Sequence, residues 1–172
     1  MPEPAAGASG PVIIGFDGSS SATGTVRTAA SLLAPAPAVV VVVWEAGLGF
    51  DLLETPASVI PAPIDVRVAL EIDRSVYDTA QRLAETGAEI ARQAGLDATG
   101  LVVADDGTVA DTLLRLSQER QARAIVVGTH GRRGLLHHGL GATARAVAQS
   151  ALCPAVLIRH PEAEDGPYLG KS

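Results

Sequence analysis

Residues 124–151 read AIVVGTHGRRGLLHHGLGATARAVAQSA, and this stretch decides the fold. It begins with an apolar run typical of a buried strand and ends with the alanine-rich pattern of a helix. A glycine-rich segment joins the two. Glycine lets the backbone come close to a ligand, and the unpaired N–H groups of a helix's first turn attract anions. The stretch therefore predicts a strand, a phosphate-binding loop and a helix.

Two familiar phosphate-binding loops do not fit this segment. No Lys-Ser or Lys-Thr follows any of its glycines, which excludes a Walker loop. Gly139-x-Gly141-x-x-Ala144 matches the dinucleotide fingerprint, but that fingerprint opens the first turn after a strand. Here the apolar run ends at Val127, well before those glycines. A mobile glycine-rich connector is the alternative interpretation.

On both sides of this stretch, apolar runs alternate with amphipathic segments. The predicted strands are Val12–Phe16, Ala38–Trp44, Leu101–Ala104, Ala124–Val127 and Ala155–Ile158. Helices are predicted between them, the second one carrying an apolar stripe from Ile72 to Ala94. Strict alternation predicts an α/β protein with a five-stranded parallel sheet that is doubly wound and Rossmann-like. The valine run of the second strand predicts a position inside the sheet.

The remaining segments set the predicted domain limits. Glu45–Asp65 contains three prolines and little periodicity, so it is predicted to be a partly disordered loop, with an ordered lid as the alternative. Residues 1–10 are predicted to be a disordered lead-in and residues 161–172 a flexible tail. A single α/β domain over residues 11–160 follows.

Composition and charge narrow the class of protein. The net charge of −6 and a pI near 5.1 argue against a general role at nucleic acid or membrane surfaces. The single cysteine cannot form an internal disulfide, and no apolar run approaches the length of a membrane span. The start of the chain does not have the pattern of a signal peptide. A cytoplasmic protein is the expectation.

Three candidate ligand-binding stretches lie at the carboxyl ends of predicted strands. Asp17 follows the first strand, Val43 ends the second, and the glycine-rich segment follows the fourth. Ligands of open parallel sheets bind beyond the carboxyl ends of the strands, where the strand order reverses. These stretches are therefore predicted to converge on one ligand.

The spacing Gly128-x2-Gly131-x9-Gly141 resembles the nucleotide-binding loop of the universal stress proteins. That family normally has Ser or Thr after the last glycine, where this chain has Ala142 and then Thr143. Further landmarks, such as the GFDGS sequence after the first strand and the Cys-Pro pair before the last, extend the resemblance over nearly the whole chain.

The resemblance implies a fold of the adenine-nucleotide-binding type, with ATP or another adenine nucleotide as ligand. Mg²⁺ is expected to be held through the nucleotide's phosphates. The resemblance also implies that the Asp17 carboxylate lies beside the adenosine and that the Val43 backbone pairs with the adenine edge. The phosphates would lie along the loop, at Gly128, Gly131, Gly141, Ala142 and Thr143. Thr129 is counted in the same predicted site, and the guanidinium groups of Arg132 and Arg133 could screen the phosphate charge.

Less specific interpretations of the same residues stay open. Asp17 could cap the following helix, and Arg132 could be a solvated loop residue. The three histidines of the loop have no cysteine or acidic partner at zinc spacing, so no protein-ligated metal is predicted. No nucleophile–base pair stands out. The leading hypothesis is a nucleotide-binding regulatory protein; the alternatives are a slow ATPase and a dimeric scaffold that binds no nucleotide.

The last predicted strand, Ala155–Ile158, is expected at one edge of the sheet. It is apolar and uncharged until Arg159, and such an edge invites pairing with another chain. A homodimer through this strand is predicted, and the family resemblance implies the same contact. Cover by the tail beyond His160 is the alternative.

Overall fold

The computed structural model describes residues 9–54, 65–105, 107–129 and 140–159. Its strands are β1 (Val12–Gly15), β2 (Pro37–Trp44), β3 (Asp97–Ala104), β4 (Ala124–Gly128) and β5 (Ala155–Ile158). Its helices are α1 (Ser20–Leu33), α2 (Leu48–Glu54), α3 (Val66–Gln93), α4 (Val109–Glu119) and α5 (Ala142–Ser150).

The five strands form one parallel sheet in the order β3-β2-β1-β4-β5. Val12 at the start of β1 lies opposite Ala38 of β2 on one side and Ala124 of β4 on the other. The strand order reverses between β1 and β4. The predicted α/β fold, the internal position of the valine-rich strand and the edge position of β5 are confirmed.

Helices cover both faces of the sheet. On one face, α1 and α3 bury alanines and Val26 against Val40 and Ile14. On the other, α4 and α5 bury Leu113 and Val147 against the remaining valines and isoleucines of the strands. Each fully buried Val, Ile or Leu contributes about 1.5–3 kcal/mol.

Small residues bring the helices close to the sheet. At Gly87 of α3, an added Cβ would lie 2.7 Å from Val40 Cγ1 and 2.8 Å from the ring of Phe16. Because a core built largely from alanine and valine has few long side chains, stability depends on this close packing.

The prediction of a loop throughout Glu45–Asp65 is wrong for its first part. Residues Leu48–Glu54 form α2, which packs on α3 with Gly49 directly against the backbone of Ala69. The Gly49 N–H also donates to Asp73 Oδ1 (2.7 Å). A helix of seven residues is too short to show periodicity and forms only because tertiary contacts hold it. Residues 55–64, on which the choice between lid and disorder depends, lie outside the described ranges.

Two element boundaries also differ from the sequence prediction. The helix predicted from Ile72 begins at Val66, after the N-cap Asp65, whose Oδ1 accepts from the Val68 N–H (3.0 Å). The third strand begins at Asp97 rather than Leu101, because the first half of β2 pairs with it. The first residues of β3, DATG, have weak strand propensity, so the neighbouring strand decides their conformation.

The predicted lead-in and tail fall almost entirely outside the described residues, and the domain limits of 11–160 stay a prediction. Within the part of the chain that the structure describes, no helix is both long and apolar enough to cross a membrane.

Candidate functional site

The carboxyl ends of the three internal strands β2, β1 and β4 lie side by side at the C-terminal end of the sheet. The last residues paired between β1 and β4 are Ile14 and Val126, and Asp17 and Thr129 each lie three residues beyond them. Val43 stands near the end of β2 on the other side of β1. The residues predicted at the ends of these three strands therefore lie at the same end of the sheet, next to the point where the strand order reverses.

Asp17 organises the turn between β1 and α1. Its Oδ1 accepts from the Ser19 N–H (3.0 Å) and from Ser19 Oγ (2.7 Å). Ser19 Oγ in turn accepts from the Ala22 N–H (3.0 Å), which makes Ser19 the N-cap of α1. The interpretation of Asp17 as the helix cap is therefore wrong. Its half-buried carboxylate instead orients the cap at the end of β1.

Gly18 makes this tight turn possible. Its φ of +79° lies in the left-handed region, and a Cβ there would meet the side chain of Leu83 on α3. The turn thus holds Asp17 in place by backbone geometry as well as by hydrogen bonds.

The backbone N–H and C=O groups of Val43 are directed toward the side of β1, beyond the point where β1 ends. The Phe16 N–H donates to the Val41 carbonyl (2.9 Å), and the Asp105 N–H donates to the Trp44 carbonyl (2.9 Å). In a parallel ladder, alternate residues direct their backbone groups to opposite neighbours. The N–H and C=O of Val43 are therefore directed like those of Val41, toward the side of β1, but two residues farther along.

Thr129 ties the start of the glycine-rich segment to its end. The Thr129 N–H donates to the Ile158 carbonyl (2.9 Å), and the Thr129 carbonyl accepts from the Gly141 N–H (2.8 Å). The first bond ties the end of β4 to β5, and the second brings the start of α5 to the end of β4. Gly131 and Arg132 lie outside the described residues, so their places at the phosphates stay predictions.

The N-terminus of α5 is capped differently from those of three other helices. Ser19, Asp65 and Thr108 each accept a backbone N–H of their own helix through a side-chain oxygen. The N-cap of α5 is Gly141, which makes no side-chain cap hydrogen bond. The first residue of α5, Ala142, is exposed, and Thr143 is half-buried.

Among the described residues, the charge at this terminus also differs from that at α4, whose first turn contains Asp111. The first turn of α5 contains no acidic residue. The N–H groups of this turn have no partner within the helix, and together with the positive end of the helix dipole they can bind an anion.

The shifted pKa values of the described residues lie on α3, away from the strand ends. The hydrogen bond from Arg92 lowers the pKa of Glu89, and the hydrogen bond to Glu85 is the main cause that raises the pKa of Arg92. Arg92 Nη1 also donates to the Ala98 carbonyl on β3 (3.0 Å). This exposed network joins α3 to β3. In the described ranges, no group of three or more His, Cys, Asp or Glu could hold a metal ion.

Helix α3 contributes residues at this edge that the sequence analysis does not single out. The rings of Tyr77 and Trp44 meet edge to face, with centroids 5.3 Å apart and planes at 64°. Asp73 accepts from Gly49, as described above. Nothing in the sequence distinguishes Asp73 from the other acids of α3, because its partner lies 24 residues away.

Comparison with known proteins identifies the family. The pattern of the universal stress protein family matches residues 9–159. The chain belongs to the universal stress protein family. The resemblance predicted from the glycine spacing is thereby confirmed. No protein with a curated description matches this universal stress protein.

Solved structures of other universal stress proteins share its fold. The protein of Archaeoglobus fulgidus in complex with dAMP superposes with a TM-score of 0.56 at 20% identity, over 86% of this chain and 95% of that one. A family protein of Arabidopsis thaliana with AMP bound gives 0.59 at 12% identity, over 91% and 95%. A universal stress protein in complex with cAMP gives 0.57 at 19% identity, over 87% and 97%. Nucleotide binding thus occurs within the family.

Proposed function

We propose that this universal stress protein is a cytoplasmic regulatory protein that binds ATP or another adenine nucleotide at the carboxyl edge of its sheet. The observation that carries the proposal is the hydrogen bond from the Gly141 N–H to the Thr129 carbonyl (2.8 Å). It holds the uncapped start of α5 at the end of β4, beside β1, where the strand order reverses. Parallel sheets of this kind bind their ligands at that point.

The neighbouring groups match the three parts of a nucleotide. The N–H and C=O of Val43 can pair with the adenine edge, because they are directed past the end of β1. The carboxylate of Asp17 has acceptor capacity for ribose hydroxyls. The N–H groups of Ala142 and Thr143 can bind phosphate oxygens at the start of α5.

The rest of the phosphate site is proposed from the sequence. Gly128 and Gly131 would supply backbone groups along the loop, while Thr129, whose N–H and C=O bond Ile158 and Gly141, would hold the two ends of the loop together. The Arg132 guanidinium would match phosphate geometry. Mg²⁺ would be held through the phosphates rather than by a protein cage. A slow ATPase would need, in addition, a group that positions the attacking water.

Thermal unfolding with nucleotides tests the proposal. ATP, ADP, AMP and cAMP are added one at a time, with and without Mg²⁺, and GTP serves as the control for the base. A ligand that binds only the folded protein stabilises it by about 2.7 kcal/mol at a hundredfold excess over Kd. The proposal expects such a shift with at least one adenine nucleotide. No shift with any of them at millimolar concentration would leave the scaffold function standing.

A homodimer through β5 is the second proposal, and the edge position of that strand favours it. The Ile125 N–H donates to the Pro154 carbonyl, and the Thr129 N–H donates to the Ile158 carbonyl. By alternation, the backbone groups of Val156 face β4 and those of Ala155 and Leu157 face outward. Two copies could therefore pair antiparallel through Ala155 and Leu157 about one twofold axis.

A proline at the outward position tests this contact. Ala155 has an exposed side chain, so Ala155→Pro removes an outward donor with little loss of packing. Light scattering across a dilution series should show a dimer for the parent and a folded monomer for the variant. Val156→Pro is the contrasting variant, since it removes a bond to β4 and should destabilise the monomer itself. A parent protein that is monomeric at micromolar concentration would refute the dimer.

A further inference from the structure

One face of α3 holds the chain that follows Val43. The side chains of Ala69, Asp73 and Tyr77 recur every four residues and so lie along one side of the helix. Tyr77 contacts Trp44, the last residue of β2, with ring centroids 5.3 Å apart. The Asp73 side chain and the Ala69 backbone both contact Gly49 in α2. This side of α3 therefore contacts the chain at both ends of the turn after β2, at Trp44 before the turn and at Gly49 after it.

The two contacts to Gly49 are specific. Its N–H donates to Asp73 Oδ1 at 2.7 Å, and its Cα faces the Ala69 backbone so closely that no Cβ could be accommodated without movement. Asp73 thus supplies an acceptor for an N–H in the first turn of α2, where no partner exists within the helix. The hydrogen bond and the close backbone contact together hold α2 against α3.

The contact between α2 and α3 lies at the carboxyl end of the sheet, where the nucleotide is proposed to bind. The 28 residues of α3 span about 42 Å, whereas the 8 residues of β3 span about 26 Å. Tyr77 is level with Trp44 at the end of β2. Asp73 and Ala69 lie one and two turns nearer the start of α3, so they and α2 project beyond the carboxyl edge.

We propose that Asp73 is a positioning residue for the nucleobase. The ladder between β2 and β3 fixes Val43 itself. By fixing α2, Asp73 keeps the turn that follows β2 clear of the Val43 backbone groups that pair with the base edge. The inference rests on the proposed function, since it concerns the base half of that site. The phosphate half, at the start of α5, is built from other elements and does not depend on Asp73. Loss of Asp73 should therefore weaken recognition of the base and leave recognition of phosphate unchanged.

Titration calorimetry with two ligands tests this separation. ATP reports on the whole site and inorganic tripolyphosphate on the phosphate half alone. Asp73→Ala should raise the Kd of ATP by about tenfold at most, because the lost hydrogen bond lies within the protein and only part of its free energy reaches the ligand. The Kd of tripolyphosphate should not change. Asp73→Asn keeps an oxygen acceptor for the Gly49 N–H and should bind ATP like the parent.

Two further variants serve as control and as second route. Glu71→Ala removes an exposed acid two residues away, on a different side of α3, and should leave both ligands unaffected. Gly49→Ala forces α2 away from Ala69 without changing α3 and should reproduce the selective loss of ATP affinity. It keeps the test decisive if Asp73→Ala does not fold.

The outcomes separate this inference from the proposed function. Unchanged ATP affinity in both Asp73→Ala and Gly49→Ala would overturn the positioning role while nucleotide binding stands. An equal loss for ATP and tripolyphosphate would also overturn it, because the effect would then be general. A parent protein that binds no adenine nucleotide would refute the proposed function and the inference with it.

Discussion

Helices α4 and α5 pack on the same face of the sheet and each follows a parallel strand, yet their N-termini differ. At α4, Thr108 Oγ1 accepts from the Asp111 N–H (3.1 Å), and Asp111 Oδ2 accepts from the Thr108 N–H (3.2 Å). At α5, the cap is Gly141, with no side-chain hydrogen bond. The first terminus is closed by its own residues, and the second is left open.

The difference shows how the fold assigns an anion site. The carboxylate of Asp111 lies in the first turn of α4 and already compensates the positive end of its dipole. The first turn of α5 contains no acid. In addition, α4 follows the edge strand β3, whereas α5 follows β4, which adjoins β1 where the strand order reverses. Cap chemistry and topology therefore favour the same terminus.

Adding a side-chain cap at the start of α5, like the one at the start of α4, should have the largest effect on nucleotide binding. Gly141 has φ −59° and ψ 161°, which any residue can adopt, so Gly141→Asp can cap the helix. Its carboxylate would stabilise the terminus by about 0.3–1 kcal/mol and repel phosphate. We expect a higher melting temperature without ligand and loss of the stabilisation of about 2.7 kcal/mol given by excess nucleotide.

The uncharged variant Gly141→Ser separates capping from charge in this experiment. It should cap the helix and retain much more nucleotide binding than Gly141→Asp. If Gly141→Asp binds ATP as tightly as the parent does, phosphate does not lie at α5.

Opening α4 should have the converse and smaller effect. Thr108→Ala removes the cap and should cost about 1 kcal/mol of unfolding free energy, measured by chemical denaturation. ATP affinity should not change, because this terminus plays no part in the proposed site. Weaker ATP binding in this variant at unchanged folding would mean that both termini contact the ligand.

The smallest effect is expected where the chain departs from its family. Ala142→Ser places a hydroxyl directly after Gly141, and a typical net hydrogen bond to phosphate would tighten ATP binding by about 0.5–1.5 kcal/mol. Ala142→Val, which adds bulk without a hydroxyl, is the matched control. Equal affinity in Ala142→Ser and the parent would indicate that Thr143 already supplies that bond.

The sequence predicts those features whose signal is local. The valine run of β2 indicates an internal strand. Helix α2 escapes prediction because seven residues show no period, and only its packing on Ala69 stabilises it. The first half of β3 escapes because Gly100 and its neighbours form a strand only beside β2.

The candidate site divides in the same way. The glycine spacing and Asp17 are visible in the sequence. The direction of the Val43 backbone requires the register of three strands, and the role of Asp73 requires the fold, because its contact joins residues 24 apart. The turn at Asp17 was predicted, but the choice of Ser19 as the cap depends on side-chain geometry that spacing does not determine.

An amide-resolved NMR titration with ATP and Mg²⁺ tests the central claim most directly, because it reads each backbone N–H separately. The account predicts that the amide signals of Val43, Ala142 and Thr143 shift together along one binding curve, while those of Val109 and Ala110 at the start of α4 stay in place. Shifts at the start of α4 with none at Val43 and α5 would contradict it.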